Sequence, residues 1–400
     1  MSGLSPVQEA LRSVLKQRRY EPLKTLCRNH REAVHMNVAG DRFEELRELC
    51  TAAGDKASLA IGMAGLVMDH VMQDRVREAS RLASEAMALI ESVGNATLTV
   101  GLSFALTHAK AESAEWSDML RWSQRVIDLA DGDPSKGNFI IGSPLAVALT
   151  SRAMARYCLG RPGWRDDLQQ ALAMARSADP MSYATVVSYG SHAGIVFGVL
   201  RPDDSAMREI EDAQRIAERS GDDVAVAVAR ATLGVALAHL HPAADRDRGH
   251  KLLAEASDMY LRGVHNLAEL PFVNVHLARE RARRGDHDEA IPLMRATVDH
   301  LFRDGQLLLH GIGATGVLVE TLLDRGADGD VAEAEAAIER LTAAPTDSVA
   351  MRDIWLLRLR ALLARAHDDA TAYAHIRDRY RDMATSLGFE GHIAWAEAMP

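Results

Sequence analysis

Hydrophobic and polar positions follow two different patterns, which alternate along most of the chain. In the first pattern, apolar residues recur every three or four positions and charges cover the other side. Segment 204–219 is an example, since Ile210, Ala213, Ile216 and Ala217 fall on one stripe. The second pattern is apolar nearly all round and rich in glycine and alanine. This alternation predicts helix pairs, each with a buried inner first helix and a half-exposed outer second helix.

Eight such pairs are predicted between residue 55 and the end of the chain. Most second helices begin at an aspartate and end near a glycine, residues that suit the amino and carboxyl ends of a helix respectively. The predicted first helices are 57–72, 98–114, 145–159, 181–200, 224–240, 267–284, 306–325 and 351–366. The predicted second helices are 74–93, 116–129, 164–177, 204–219, 245–262, 286–303, 330–342 and 369–387.

The turn after the second helix recurs at a nearly constant interval. Gly221, Gly263 and Gly305 are separated by two steps of 42 residues each. A period of this length is typical of helical solenoids, in which each helix pair buries its apolar face against its neighbours. We therefore expect an all-α fold over residues 55–400, a right-handed α-solenoid of about eight tetratricopeptide-like pairs. Because the period exceeds the roughly 34 residues of a tetratricopeptide unit, its helices should be longer.

Residues 1–54 lie outside this pattern and differ in charge. Residues 1–40 hold seven Lys or Arg and three Asp or Glu, a net charge of +4, whereas the rest of the chain carries −14. We expect a basic helical cap on the end of the stack, and contact of this cap with nucleic acid or anionic lipid is left open. The acidic remainder argues against a nucleic-acid-binding solenoid, which needs a basic stripe.

The compartment is predicted from the amino terminus and the cysteines. The first 20 residues lack the apolar region and cleavage site of a secretion signal. Cys27, Cys50 and Cys158 have neither metal-ligand nor disulfide spacing, which favours free thiols in a reducing cytoplasm. Segment 181–200 is uncharged and long enough to cross a bilayer. Its serines, threonine, histidine and glycines favour a buried inner helix of the solenoid instead.

Two motifs suggest ligands but fit the repeat better. Gly311, Gly313 and Gly316 match the spacing of a dinucleotide-binding turn, which requires a preceding strand; in this chain the flanking residues predict a helix, so we interpret them as packing glycines. The cluster 287–289, His-Asp-Glu, could suit a metal but lies where a second helix starts. We therefore predict no metal site and no cofactor.

Catalysis receives no support from the sequence. The acidic pairs at 166–167, 203–204 and 222–223 lie at turns between helices, where water and helix starts favour them. No nucleophile, base and orienting group occur at a recognisable spacing, and no catalytic residue is predicted. A strongly shifted carboxylate or histidine in a deep pocket would support the alternative of an enzyme with a site on the concave face.

Isolated polar and aromatic residues on the predicted first helices are the binding candidates. Pockets commonly combine apolar walls with a few directed polar groups. The candidates are His108, Lys110, Tyr183, Tyr189, His192, Asn274, His276, His310 and Arg358. Of these, we predict that Tyr189, His192, Asn274, His276 and His310 form the ligand site, with Tyr189–His192 and Asn274–His276 as its leading pairs.

Several long segments resemble the carboxyl-terminal helical repeats of actinobacterial, chiefly mycobacterial, adenylate cyclase-type regulators. These segments are 81–94, 115–139, 156–187, 216–223, 319–341 and 387–400, for example RLASEAMALIESVG and LGFEGHIAWAEAMP. In that family a nucleotide cyclase domain and a signalling ATPase domain precede the repeats. The resemblance implies a sensor or interaction module, but not either activity, because the metal-binding aspartates and the phosphate loop have no counterpart in this sequence.

These patterns together predict a non-catalytic regulatory module that binds a small ligand or a protein partner in its concave groove. The first alternative is an interaction scaffold, including a homodimer, without a small-molecule site. The second is the concave-face enzyme.

Overall fold

A computed structural model describes residues 36–399 except 140, 241, 264–266 and 345–348. Within these residues every regular element is helical and no strand is present. The predicted all-α class and the α-solenoid architecture are therefore confirmed. Helix α1 is Met36–Ala53, and eight pairs of helices follow it, each predicted pair corresponding to an observed one within a few residues.

The eight pairs follow one another in chain order. Pair 1 is α2 (Lys56–Met72) and α3 (Val76–Val93), pair 2 is α4 (Ala96–Glu112) and α5 (Trp116–Ala130), and pair 3 is α6 (Pro144–Cys158) and α7 (Trp164–Arg176). Pair 4 is α8 (Pro180–Val187), continued by α9 (Ala193–Val196), and α10 (Asp204–Ser220). Pair 5 is α11 (Asp223–Ala238) and α12 (Ala243–Gly263), and pair 6 is α13 (Leu270–Arg283) and α14 (His287–Asp304). Pair 7 is α15 (Ile312–Arg325) and α16 (Asp330–Thr342), pair 8 is α17 (Ala350–Ala366) and α18 (Ala370–Leu387), and α19 (Glu390–Glu397) ends the described chain.

Helix α10, a second helix, begins and ends as its sequence predicts. Asp203 caps α10 by accepting hydrogen bonds from the backbone amides of Ser205 and Ala206, at 3.0 and 2.8 Å. Gly221 ends the same helix with a φ of +69°, a conformation that costs glycine little. Asp222 then caps the next first helix in the same way as Asp203. The acidic residues at these turns are thus helix caps.

One predicted turn carboxylate is not at the surface, contrary to the sequence interpretation. Asp167 in the first turn of α7 is only 2% exposed and accepts hydrogen bonds from Arg152 and Arg156 of α6. Its neighbour Asp166 is exposed, as expected. The prediction was wrong for Asp167 because the arginines of the preceding helix fold back over the turn and replace water.

First helices approach their neighbours closely through small residues. A side chain at Gly234 of α11 would meet Leu253 at 2.8 Å, and one at Gly249 of α12 would meet the Gly234 carbonyl at 2.7 Å. A side chain at Gly316 would overlap the ring of Trp355. Gly313 and Gly316 lie inside α15 and Gly311 ends the π turn before it, with no strand among the described residues, so these glycines belong to a helix and not to a dinucleotide turn.

Two first helices contain a π-helical turn. Ser188–His192 separates α8 from α9, and Leu307–Gly311 precedes α15. A π-helical turn widens the helix locally and is frequently found at functional sites. Both π turns contribute residues to the wall of the same interior cavity.

The superhelix is tight enough that helix pairs five apart in chain order are in contact. Asp74 of pair 1 lies 2.8 Å from the Nε2 atom of His300 in pair 6. Arg165 of pair 3 donates a hydrogen bond to the Gly388 carbonyl after pair 8. The backbone amide of Glu390 donates to the carbonyl of Val199 at 2.9 Å. The predicted concave groove is therefore an interior space that the superhelix partly surrounds.

The cap predicted for residues 1–54 lies only partly within the described residues. Residues 1–35 lie outside the described residues, and the cap assigned to 1–54 stays a prediction. Phe43 of α1 does pack against the core of the first pair.

No helix among the described residues combines the length and the apolar character that a membrane span needs. Cys50 and Cys158 are free and buried, and Cys27 lies outside the described residues.

Candidate functional site

A cavity of about 640 Å³ lies inside the superhelical turn. Its walls come mostly from the first helices α2, α4, α6, α8, α9, α11 and α13 and from both π turns, with further residues from the loops between helices. Tyr260 of α12 is a contribution from a second helix. The inner helices thus form most of the cavity wall.

The lining is mainly apolar, with aromatic rings and a few polar groups. Phe104, Tyr189, Phe197, Tyr260 and Phe272 supply the rings. No lysine or arginine is among the lining residues, whereas Glu112, Asp179, Asp222 and Glu269 are. Asp179 and Asp222 hydrogen-bond to backbone amides at helix starts, so Glu112 and Glu269 are the carboxylates with chemistry to offer. The cavity has an acidic character.

A hydrogen bond links pairs 2 and 4 at the cavity wall. The Tyr189 hydroxyl and the Nε2 atom of His108 are 3.2 Å apart, and their ring centroids are 5.3 Å apart. The ring of Phe104 stacks with that of His108. Burial lowers the pKa of His108 despite the nearby Glu112 carboxylate. His108 is therefore uncharged at neutral pH and holds Tyr189 at the wall.

His192 ends the first π turn and also faces the cavity. Its ring lies 4.4 Å from the ring of Phe272, centroid to centroid. Burial, followed by the charges of His276 and His310, lowers its pKa to about 3. Its Nε2 atom is buried and makes no hydrogen bond. A bound molecule with a hydrogen-bonding group can therefore satisfy this nitrogen.

Three ionisable groups meet at one side of the cavity. Donor atoms of Glu112, Glu269 and His310 all lie within 4.8 Å of one another. Burial alone would raise the pKa of Glu112, but contact with His310 outweighs it and holds the pKa below its usual value. In return the pKa of His310 is raised. Burial raises the pKa of Glu269 to about 7, so this carboxyl is half protonated near neutrality.

The five predicted ligand residues do not all meet. Tyr189, His192 and His310 line the large cavity. His276 instead lines a separate cavity of about 20 Å³, too small for an organic ligand, and it is 3.1 Å from the Phe272 carbonyl. Asn274 is partly exposed on the same helix and does not line the large cavity. The Asn274–His276 pair therefore lies apart from Tyr189 and His192.

Two other charged candidates have structural partners. The ammonium group of Lys110 donates to Glu115, Ser84 and Ser80 at 2.6–3.2 Å and joins α4 to α3. Arg358 donates to Glu320 and packs over the ring of Trp395. Both side chains are satisfied within the protein, which removes them from the binding candidates.

Sequence reasoning missed Glu112 and Glu269. They lie at the end of α4 and in the short 3-10 turn Leu267–Glu269 before α13. Each resembles the many other acidic residues near helix ends. Only the closure of the superhelix brings positions 112, 269 and 310 together, so spacing along the chain carries no signal for this cluster.

Comparisons with known proteins identify no family for the chain. No protein-family model matches it, and neither does any curated protein. It is similar to the solved structure of a Rap protein complexed with competence and sporulation factor, with a TM-score of 0.46 and 12% identity over 84% of this chain and 99% of that chain. It is also similar to a circular tandem repeat protein with novel repeat topology, with a TM-score of 0.20 and 16% identity over 98% of this chain and 96% of that one.

Proposed function

We propose that the protein is a non-catalytic regulatory module that binds one small ligand in the cavity inside its superhelical turn. The observation that carries the proposal is the cavity itself, whose 640 Å³ is within the roughly 300–1,000 Å³ of ligand pockets. Its apolar walls and few directed polar groups also fit such a pocket. The resemblance to the repeats of cyclase-type regulators supports a role in signalling.

The lining favours an uncharged or cationic ligand. Glu112 and Glu269 offer negative charge or hydrogen-bond acceptors, and five aromatic residues line the cavity whose rings can face a cation. An anionic ligand would lose its hydration without gaining a lysine or arginine partner from the lining, which costs several kcal/mol by an approximate desolvation argument. A small amine with an apolar body meets both requirements.

Ligand occupancy would be transmitted through the closure of the superhelix. A molecule in the cavity touches pairs 1 to 7 at once. It therefore binds one curvature of the stack better than another, and the difference in affinity shifts the population between them. The contacts between pairs five apart, such as Asp74 with His300, are the contacts that such a change would strengthen or release.

Native mass spectrometry of the purified full chain tests the proposal. We expect one small molecule retained per chain, and we expect the double variant Tyr189→Ala/His192→Ala to lose it. The control Tyr373→Ala/His375→Ala removes the same two residue types from the outer helix α18 and should retain the molecule. A ligand-free dimer of the unaltered chain, or equal retention by the two double variants, would refute the proposal and favour an interaction scaffold.

One observation favours an enzyme as the second candidate. Glu269 is a cavity carboxyl whose pKa is raised to about 7, a value suited to proton transfer at neutral pH. This is the kind of group whose presence would support catalysis on the concave face. Incubating the retained molecule with fresh protein separates the candidates by its mass: an unchanged mass supports binding alone, and conversion abolished by Glu269→Gln supports an enzyme.

A further inference from the structure

The superhelix brings together three side chains that are far apart in the sequence, those of Glu112, Glu269 and His310. Glu112 ends the first helix of pair 2, whereas Glu269 and His310 precede the first helices of pairs 6 and 7. One carboxylate oxygen or imidazole nitrogen from each lies within 4.8 Å of the other two. We refer to these three residues as the cross-turn trio.

Two members of the trio form a long and poorly aligned ion pair. The Oε2 atom of Glu112 and the Nε2 atom of His310 are 3.3 Å apart, and both atoms are buried without a well-aligned hydrogen bond. The two residues are 3% and 8% exposed. In tetrahedral coordination at about 2.0–2.1 Å, neighbouring ligand atoms are about 3.3–3.4 Å apart. Their separation matches that of two ligands on a shared metal ion better than that of an aligned hydrogen bond.

We propose that the cross-turn trio binds one divalent first-row transition-metal ion, such as Zn²⁺, with a remaining coordination position open to the cavity. One imidazole and two carboxylates suit Zn²⁺, Mn²⁺ or Fe²⁺, whereas Ca²⁺ and Mg²⁺ prefer oxygen ligands alone. A third protein ligand besides the Glu112–His310 pair is supplied by Glu269, which faces the same cavity. Three protein ligands leave a position for water or for a ligand in the cavity.

A metal ion bound by the trio also stabilises the folded chain. An ion held by all three residues ties pair 2 to pairs 6 and 7 across the superhelical turn. It therefore binds the closed fold and not the unfolded chain, so it raises the stability of the folded state. This metal site goes beyond the ligand-binding function and is tested with the metal alone.

The test is calorimetric titration of the chelator-treated, dialysed full chain with Zn²⁺. We expect one ion per chain, and a melting temperature that rises with Zn²⁺. Glu269→Gln and His310→Asn should each weaken binding by at least about tenfold, since losing even a supporting group of a metal site costs that much. Glu289→Gln and His287→Asn make the same changes in the surface cluster 287–289 and should leave the affinity within about twofold.

Folding of the variants is checked separately. Glu269→Gln keeps the size of the side chain and removes only its charge, and far-ultraviolet circular dichroism in chelator should match that of the unaltered chain. The Zn²⁺-dependent rise in melting temperature should then be absent from Glu269→Gln and present in Glu289→Gln. The inference is overturned if the unaltered chain binds no Zn²⁺, or if the two glutamine variants bind it equally, because the trio is then a buried charge cluster only. If the unaltered chain binds Zn²⁺ but retains no organic ligand, the proposed function alone is refuted.

Discussion

The first and second helices of the pairs carry different kinds of information. Second helices such as α10 have a clear apolar stripe, an aspartate cap and a terminal glycine, and they cover the outside of the stack. First helices such as α11 are apolar nearly all round, with isolated polar residues. The cavity is lined mostly by first helices. The outer helices thus show the regular pattern of the repeat, whereas the inner helices form most of the cavity wall.

The largest expected loss of stability comes from a substitution at the junction between the inner helix α6 and the outer helix α7. Asp167 at the start of α7 is buried between Arg152 and Arg156 of α6, so Asp167→Asn leaves two arginines without their carboxylate. We expect a loss of about 3 kcal/mol in the free energy of unfolding, measured by urea denaturation. Asp166→Asn changes the exposed neighbour and should cost less than about 0.5 kcal/mol. Equal losses of unfolding free energy in the two variants would mean that the buried carboxylate of Asp167 stabilises the fold no more than the exposed carboxylate of Asp166.

The next largest effect is a pH dependence of the stability of the fold, which arises from ionisable residues of the inner helices. Burial, then the charge of Arg279, lowers the pKa of His239 at the end of α11 to about 3. The unfolded chain therefore binds more protons than the folded chain between about pH 3 and the ordinary value of 6.5, and stability falls as pH falls through this range. Each such histidine contributes up to about 1.4 kcal/mol per pH unit.

Two inner residues contribute to this dependence with opposite signs. His192 acts as His239 does, since its pKa is also about 3. Glu269 opposes them: its pKa is about 7 in the fold and 4.5 ordinarily, so it favours the fold as pH falls from 7 towards 4.5. His239→Asn should therefore reduce the loss of melting temperature between pH 7 and 5. The same change at exposed His367 serves as the control, and an equal reduction there would contradict the assignment.

The smallest effect concerns an outer helix cap. Asp203→Ala removes the acceptor for two backbone amides at the start of α10 and should cost about 1 kcal/mol, seen as a lower urea midpoint. Asp204→Ala, at the first helical position, removes only a favourable charge near the helix end and should cost a few tenths of that. A larger loss for Asp204→Ala would show that the cap is misassigned.

The same contrast explains what could be predicted from the sequence. Helix caps act within three or four residues, so the 42-residue spacing of Gly221, Gly263 and Gly305 predicts the helix pairs to within a few residues. Tyr189, His192 and His310 were identifiable as polar residues on apolar helices. Their relation to Glu112 and Glu269 was not, because it depends on contacts between pairs five apart. Those contacts depend on packing such as that of Gly391 against Gly198, which no local pattern encodes.

The most direct test of the interior binding site is a fluorescence titration of the full chain with Nile red, a neutral apolar dye. Ala193 of α9 lines the cavity, and Ala193→Phe should block it; Ala254→Phe adds the same ring to an exposed position of α12. With circular dichroism confirming that both variants fold, we expect saturable binding of one dye per chain by the unaltered protein and Ala254→Phe. Binding to Ala193→Phe should be at least about tenfold weaker, or about 1.4 kcal/mol. Equal binding by both variants would contradict a site inside the superhelical turn.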